Sequence, residues 1–260
     1  SGWQRQKHTH AVQEYVETSL SRVADETLQV HCAGRTDAGV HALHQVGHFT
    51  TSARRDMHAW VLGGNVHLPQ DISLLWAQPV PDEFHARYSA ISRAYAYVIL
   101  NRSSRPGVLQ QRVTWECRKL DEQGMQQAAA CLLGEHDFTS FRSVHCQAES
   151  PLRRVTRLEI HRAGDFILME IEANAFLHHM VRNIAGVLMA IGMGKHSSAW
   201  SQEVLEARDR TAGGVTAPAD GLYLLGADYP PSFNIPDWRG TRLAMPSMAQ
   251  KVPFLLLPDK

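Results

Sequence analysis

The chain has 260 residues, and its formal net charge is zero because 26 basic side chains balance 26 acidic ones. The length allows one large domain or two closely packed halves, and the zero charge excludes a strongly basic nucleic-acid-binding protein, so any RNA site must be a local patch. The four cysteines include no Cys-x-x-Cys pair and no apolar run reaches about 18 residues, so we expect a cytoplasmic protein with neither a zinc ribbon nor a membrane-spanning helix.

The first 82 residues predict a helix followed by short strands. Apolar residues recur at helical spacing over residues 12–23, and Thr9 is a candidate N-cap for this helix. Apolar and polar residues alternate over residues 28–32, so we expect a strand that ends near Gly34. Two further strands are predicted at residues 46–50 and 72–76, with a short helix at residues 57–62.

The chain from residue 83 onward predicts longer elements. Residues 91–101 carry apolar side chains at both alternating positions, which indicates a central strand. Residues 155–162 and 166–172 flank a Gly-Asp turn and predict a hairpin. A last strand is predicted at residues 222–227. Helices are predicted at residues 120–133, 179–193 and 200–209.

Strands and helices thus occur in both parts of the chain. This pattern predicts an α+β fold in which two related α/β halves share one mostly antiparallel sheet flanked by helices. Proline residues at 79 and 81 mark the boundary between the halves. We therefore divide the chain into a first half at residues 1–82, a second half at residues 83–228 and a proline-rich tail at residues 229–260.

The stretch Ala-Gly-Arg-Thr-Asp-Ala-Gly-Val-His-Ala at residues 33–42 places one acid near an arginine, directly after the first predicted strand. Gly34 and Gly39 allow positive φ and a close backbone approach, so this loop can hold the Asp37 carboxylate in a fixed direction. Arg35 falls on the same side as Asp37 if the strand continues. From the local pattern alone, an ordinary turn explains these residues equally well.

Residues 33–42 also resemble the catalytic signature of the tRNA pseudouridine synthase A family, in which the aspartate is the nucleophile. Four later segments are similar to motifs of that family in the same order, and the resemblance covers most of the chain, which implies the pseudouridine synthase fold. The segments are Arg93-Ala94-Tyr95-Ala96-Tyr97, Asp137-Phe138-Thr139-Ser140-Phe141-Arg142, Phe176-Leu177-His178-His179-Met180-Val181-Arg182-Asn183 and Gly221-Leu222-Tyr223-Leu224.

The resemblance implies a reaction centre built on three side chains. Asp37 would be the nucleophile, and Arg182 would be the basic residue that pairs with it. Tyr95 would stack on the base and take part in proton transfer at C5, while Leu222 would line the uracil pocket. Attack at uracil C6, attack at ribose C1′ and a glycal route all stay open, and none of them needs a cofactor.

The resemblance further implies a substrate and an assembly: uridines thirty-eight to forty of the tRNA anticodon stem-loop, and a homodimer. A paired uridine must be flipped out of its helix, and Arg35 would enter the vacated space. Further residues that would touch tRNA are Arg55, Phe84, His85, Arg87, Tyr88, His145, Cys146 and Gln147. Without the resemblance, each of these is explained about as well as a solvated loop residue.

Simpler interpretations compete with these assignments. Tyr95 fits an ordinary core aromatic, and Arg182 fits a solvated helix arginine, although its apolar neighbours favour a carboxylate partner. His178 and His179 suggest zinc, but adjacent histidines point to different sides of a regular element and no third ligand has suitable spacing, so no metal is expected. For the whole chain, the rivals are a tRNA-binding or chaperone-like protein without the reaction and a carboxylate-based N-glycoside hydrolase.

Overall fold

A computed structural model describes residues 2–6 and 8–239, which form five α-helices and nine strands. The helices are α1 (Val12–Ala24), α2 (Met57–His67), α3 (Glu122–Ala129), α4 (Met180–Gly192) and α5 (Trp200–Ala207). The strands are β1 (His31–Cys32), β2 (His41–Ala42), β3 (Gly47–His48), β4 (Ser92–Asn101), β5 (Thr114–Glu116), β6 (Gly134–Asp137), β7 (Leu152–Ala163), β8 (Phe166–Ala173) and β9 (Leu222–Asp228).

Seven of these strands form one mixed sheet in the order β2-β9-β4-β8-β7-β6, with β5 beside β4. Its pairs are antiparallel except for β2–β9 and β4–β5, which are parallel. The predicted α+β class is therefore confirmed. The sequence did not indicate that β1 and β3 would pair separately, as a two-stranded antiparallel ribbon.

The two largest clusters of apolar side chains among the described residues stabilise the two parts of the chain. In the larger one, Tyr97 and Ile99 of the central strand β4 pack with buried residues of α3, α4 and α5. In the other, α1 and α2 pack together through residues that include Leu20 and Trp60. The helical spacing of apolar residues in α1 is thus explained by burial of one face of this helix. None of the described helices has both the length and the apolar character required to cross a membrane.

Two local predictions in the first half were wrong. Helix α1 begins after Ala11 without a side-chain cap, so Thr9 is not its N-cap. Backbone carbonyls replace that cap, because Val12 N donates to Gly2 O at 3.2 Å and Gln13 N donates to Trp3 O at 3.0 Å. Such donors at a helix start need an acceptor, and the preceding segment supplies it.

The predicted strand at residues 72–76 belongs to no sheet within the part of the chain that the structure describes. Its apolar alternation is real, since Ile72 and Leu74 pack against the α1–α2 cluster. The Asn65 side chain takes the place of a neighbouring strand. It accepts a hydrogen bond from Leu74 N at 2.8 Å and donates one to Leu74 O at 2.9 Å.

The described part of the predicted tail, residues 229–239, contains one short 3₁₀ turn (Pro231–Phe233). Trp238 is buried, and its Nε1 donates to Asp228 Oδ1 at 2.8 Å. Arg239 pairs with the same carboxylate at 2.6 Å, which attaches this segment to the end of β9. Residues 240–260, which make up the rest of the predicted tail, lie outside the described residues.

Candidate active site

The loop that carries Asp37 is held by hydrogen bonds on both sides. Ala33 N donates to Val46 O at 2.8 Å, which continues the β1–β3 ribbon to the start of the loop. The Gln45 amide binds both backbone groups of Gly34, accepting from N at 3.2 Å and donating to O. Val40 N donates to Asp37 O at 3.1 Å and closes the turn. The loop is therefore an ordered support for its carboxylate.

The N-terminal segment also approaches this loop closely. Trp3 N donates to Thr36 O at 3.0 Å, and a Cβ placed on Gly2 would lie 2.2 Å from the same oxygen. No side chain fits at that distance, so glycine is required at residue 2 for the two backbones to touch. Gly2 and Trp3 thereby connect the start of α1 to the residue that precedes Asp37.

The Asp37 carboxylate contacts an arginine from the first turn of α4. Arg182 Nη1 donates to Asp37 Oδ2 at 3.0 Å, and Arg182 Nε donates to Ala217 O at 2.9 Å. The arginine side chain is 16% exposed and the carboxylate is 30% exposed, so solvent screens the pair only in part. The structure thus brings together two residues for which the sequence predicted an ion pair.

Two histidines contact the same carboxylate, which the sequence reasoning missed. His178 Nε2 lies 3.3 Å from Asp37 Oδ1, and His179 Nε2 lies 3.1 Å from Asp37 Oδ2. The expectation that the rings would point to different sides was wrong, because His179 has φ 64° and ψ 4° in the turn before α4. This left-handed conformation places the ring centroids 4.0 Å apart.

The spacing of residues along the sequence suggested no third ligand for the histidines, but the fold places Asp37 beside them. Asp37, His178 and His179 each offer one ligand atom, and these atoms lie within 4.8 Å of one another. Burial lowers the pKa of His179, although the charge of Asp37 acts in the opposite direction. The neutral imidazole is therefore favoured at this position. Among the sequence signals, only the adjacent histidine pair in the motif could have pointed to these contacts.

Tyr95 lies in β4 with its side chain 9% exposed, and its ring packs edge-on against Phe176 at a centroid distance of 5.1 Å. Its hydroxyl reaches the loop that carries Asp37, because a Cβ placed on Gly34 would lie 3.4 Å from that oxygen. Burial raises the pKa of Tyr95 to about 12. The phenol is therefore neutral at physiological pH, and it can donate a hydrogen bond at the site.

Arg93 is a second feature that the sequence reasoning missed. It is 9% exposed, and its guanidinium donates to four backbone carbonyls, those of Ala33, Arg87, Ala90 and Asn174. These carbonyls belong to the start of the Asp37 loop, to the segment after Phe84 and to the end of β8. Burial lowers the pKa of this arginine. Its place in a buried strand was the only sequence signal of a structural role.

The segment at residues 84–88 combines a buried anchor with exposed residues. Phe84 is 5% exposed and its ring lies 5.2 Å from that of Tyr229, so it is a core residue. His85 Nδ1 accepts from the backbone N–H groups of Arg87 and Tyr88 at 3.1 and 3.3 Å. The Tyr88 side chain is 75% exposed, and Arg87 is also exposed. Phe84 and His85 therefore support the two residues that face solvent.

The loop at residues 145–147 lies next to the histidine pair. Cys146 Sγ accepts from His178 N at 3.4 Å, and Ser143 N donates to His178 O at 2.9 Å. His145 and Gln147 are exposed, whereas Cys146 is half-buried. Two of the three residues are thus accessible to a ligand, and the third fixes the backbone of His178.

The remaining predicted residues differ in their surroundings. Arg35 is exposed beside Asp37, and Leu222 at the start of β9 is 6% exposed within the larger apolar cluster. Arg55 is exposed, but its Nε donates to Val23 O at 3.0 Å, at the end of α1. This bond gives Arg55 a structural contact in the first half.

Comparison with known proteins adds independent information. A family model described as tRNA pseudouridine synthase matches residues 1–89 and 128–230. A protein of Nitrosococcus oceani named tRNA pseudouridine synthase A is 57% identical over 236 residues, which are 91% of this chain and 91% of that protein. Proteins of the same name from Legionella pneumophila strain Corby and Coxiella burnetii strain Dugway are 54% and 53% identical, covering 90% of this chain and 89% and 90% of their own lengths.

Proposed function

Because this chain belongs to the tRNA pseudouridine synthase family, we propose that it isomerises uridine to pseudouridine in tRNA, at positions thirty-eight to forty of the anticodon stem-loop. The observation that carries this proposal is the 3.0 Å contact between Arg182 and the Asp37 carboxylate. A carboxylate that a partly buried arginine holds in a fixed direction suits a nucleophile. We also propose that the enzyme works as a homodimer in the cytoplasm.

The reaction exchanges one bond for another within a single nucleotide. The N1–C1′ bond breaks, a C5–C1′ bond forms, C5 loses its proton and N1 gains one. The atoms and the oxidation level of the nucleotide do not change, so the balance requires no oxidant or reductant. The enzyme must therefore detach the base, hold it while it turns, and move one proton.

Asp37 is the group we assign to detachment of the base. Attack at uracil C6, attack at ribose C1′ and a glycal route each use one carboxylate oxygen. Arg182 fixes the other oxygen and is itself fixed by Ala217 O at 2.9 Å, so the carboxylate keeps its direction as the base turns. All three routes are compatible with this assignment.

Tyr95 is assigned to stacking and hydrogen bonding at the base. Since its pKa is raised to about 12, the phenol enters the reaction in its protonated form. It can take part in proton removal from C5 only if a neighbouring group first accepts its own proton. Leu222, buried in the same apolar cluster, is assigned to the wall of the uracil pocket.

The exposed residues around the site are assigned to tRNA. Arg35 is the candidate for the space left by the flipped uridine, since a guanidinium stacks and binds phosphate at once. The other residues assigned to tRNA are either exposed or support exposed neighbours. They are Arg55, Phe84, His85, Arg87, Tyr88, His145, Cys146 and Gln147. Because Phe84 is buried, its assigned role is indirect, through the placement of Arg87 and Tyr88.

Tritium release from tRNA labelled at uridine C5 tests this proposal. The unsubstituted protein, called the parent, is compared with its Asp37→Asn variant. The parent should release tritium while the base stays in the RNA. The variant should release none, yet bind tRNA within about tenfold of the parent, because it keeps the shape and loses only the charge. Release of free uracil would indicate an N-glycoside hydrolase. Binding without any release by the parent would indicate a tRNA-binding protein that lacks the reaction.

A further inference from the structure

Two imidazole nitrogens and one carboxylate oxygen converge where α4 begins. His178 Nε2 and His179 Nε2 lie 3.3 and 3.1 Å from the oxygens of Asp37, and the three ligand atoms lie within 4.8 Å of one another. Two histidines and one carboxylate are also the protein ligand set of some zinc sites.

The backbone of the histidine pair is fixed before any ligand arrives. His178 N donates to Cys146 Sγ at 3.4 Å and its carbonyl accepts from Ser143 N at 2.9 Å. The carbonyl of His179 accepts from Asn183 N at 2.9 Å, which is the first bond of α4. Because both peptide units are held, the two Nε2 atoms need little rearrangement to share one ion.

The chemistry of the donors favours one class of cation. Imidazole nitrogen suits zinc and its neighbours in the first transition series, whereas magnesium and calcium prefer oxygen ligands. Three protein ligands leave a fourth tetrahedral position for water. The side chains of Asp37, His178 and His179 are 30%, 40% and 28% exposed, so an ion can reach them from solvent.

Arg182 both supports and limits such a site. Its bond to Asp37 Oδ2 is the kind of outer contact that orients a ligating carboxylate. Its positive charge, however, opposes a cation at the same place. We therefore expect a reversible site that fills and empties with the free metal concentration, unlike a structural zinc site.

We propose that Asp37, His178 and His179 bind a divalent cation of the zinc class, and that the bound ion silences the nucleophile. The ion takes the lone pair that Asp37 needs and occupies the space of the uridine, so metal and substrate exclude each other. The binding part of this proposal is independent of the proposed function, whereas the silencing part rests on it.

Cobalt(II) absorption tests the binding part on the full chain. Titration of the parent should give the d–d bands of tetrahedral cobalt, and zinc should abolish them. His178→Ala and His179→Asn should weaken cobalt binding by at least about tenfold, since loss of even an outer partner costs about 10–100-fold. Asparagine is chosen at residue 179 because it tolerates the left-handed conformation. Circular dichroism verifies that each variant is folded.

His10→Ala is the matched control, because this histidine is an exposed one, with its side chain 77% accessible. Its cobalt titration should equal that of the parent. Equal cobalt binding by the parent, His178→Ala and His179→Asn would overturn the proposal, as would absence of the tetrahedral bands. Loss of the bands in all variants including His10→Ala would also overturn it, because the ion would then not depend on the assigned ligands.

Zinc titration of tritium release tests the silencing part, with free zinc set by a metal buffer to offset binding to RNA. The parent should lose activity as the site fills and regain it with a chelator. Each variant is compared with its own zinc-free rate, and His178→Ala should need at least about tenfold more zinc for the same fractional loss. If the parent binds cobalt but zinc does not inhibit its tritium release, the silencing part of the proposal is overturned. A parent without activity on any tRNA would refute the proposed function while leaving the cobalt result valid.

Discussion

Arg182 Nη1 lies 3.0 Å from Asp37 Oδ2, although the two residues are 145 positions apart in the chain. The same guanidinium donates from Nε to Ala217 O at 2.9 Å. A planar group held at two points has a fixed direction as well as a fixed charge. The site therefore depends on the shape of the arginine side chain and not only on its positive charge.

Arg182→Lys should lower turnover by about 10²–10³-fold, the usual effect of losing one preorganised donor. Lysine keeps the charge, but a single ammonium cannot bind Ala217 O and Asp37 in the geometry of the guanidinium. Single-turnover tritium release at saturating enzyme measures the effect. Arg208→Lys is the control, since that side chain is 70% exposed and should retain the parent rate. A parent-like rate for Arg182→Lys would mean that charge alone suffices.

Arg35→Ala should impair turnover more than tRNA binding, because Arg35 is assigned to the space left by the flipped uridine. We expect a loss of at least about tenfold on a paired target, and a smaller loss when the target is mismatched, since flipping then costs less. Parallel rates on the two substrates give the comparison. Arg54→Ala, another exposed arginine, is the control. Equal losses on both substrates would remove Arg35 from the flipping step.

Arg93→Met should lower the free energy of unfolding by about 3 kcal/mol, because methionine fills similar space but leaves four buried or half-buried carbonyls without their donor. Urea denaturation measures this change. Arg102→Met is the control, since its ion pair with Asp165 is 3.6 Å long and its side chain is 37% exposed. Its effect should stay within about 1 kcal/mol. Equal effects of the two substitutions would argue against a structural role for Arg93.

His44 should make the fold sensitive to mild acid. It is 5% exposed and accepts from Trp76 Nε1 at 3.2 Å, while its Nδ1 has no hydrogen-bond partner among the described residues. Burial lowers its pKa from 6.5. Below about pH 6.5 the unfolded chain therefore binds this proton and the folded chain does not, so stability is complete above that pH and is lost as the pH falls.

Urea denaturation of the parent and His44→Gln between pH 8 and pH 5 tests this expectation. Glutamine can still accept from Trp76 but does not titrate, so its stability should fall less steeply with acid. One proton contributes at most about 1.4 kcal/mol per pH unit to the difference in slope. Other histidines titrate in both proteins and cancel in the comparison. Identical slopes would show that His44 is not the responsible group.

The long strands and helices could be predicted because the side chains that each one buries recur at a regular spacing in the sequence. Predicted residues 91–101 became Ser92–Asn101, and the second strand of the hairpin became Phe166–Ala173. The strand at residues 72–76 was wrong for a physical reason, since alternation reports burial and not the presence of a neighbouring strand. The Asn65 side chain supplies the missing hydrogen bonds there, and no period in the sequence reveals such a partner.

The sequence predicted only those parts of the site to which the family resemblance assigns a role. The resemblance led to the pairing of Asp37 with Arg182, which the structure contains. It did not indicate the contacts of His178 and His179, because they depend on one left-handed residue before α4. Nor did it reveal the parallel pairing of β2 with β9, since a two-residue strand carries no recognisable pattern.

The β2–β9 pair has a consequence for synthesis on the ribosome. His41 pairs with Tyr223, so the strand beside the Asp37 loop must wait for a partner made roughly 180 residues later. At about 5–20 residues per second, this delay lasts on the order of 10–40 s. During that interval the loop can form its local turn but not its final surroundings, and closure of so distant a contact is slow. A nascent chain that stalls before residue 222 therefore carries the acid without a working site.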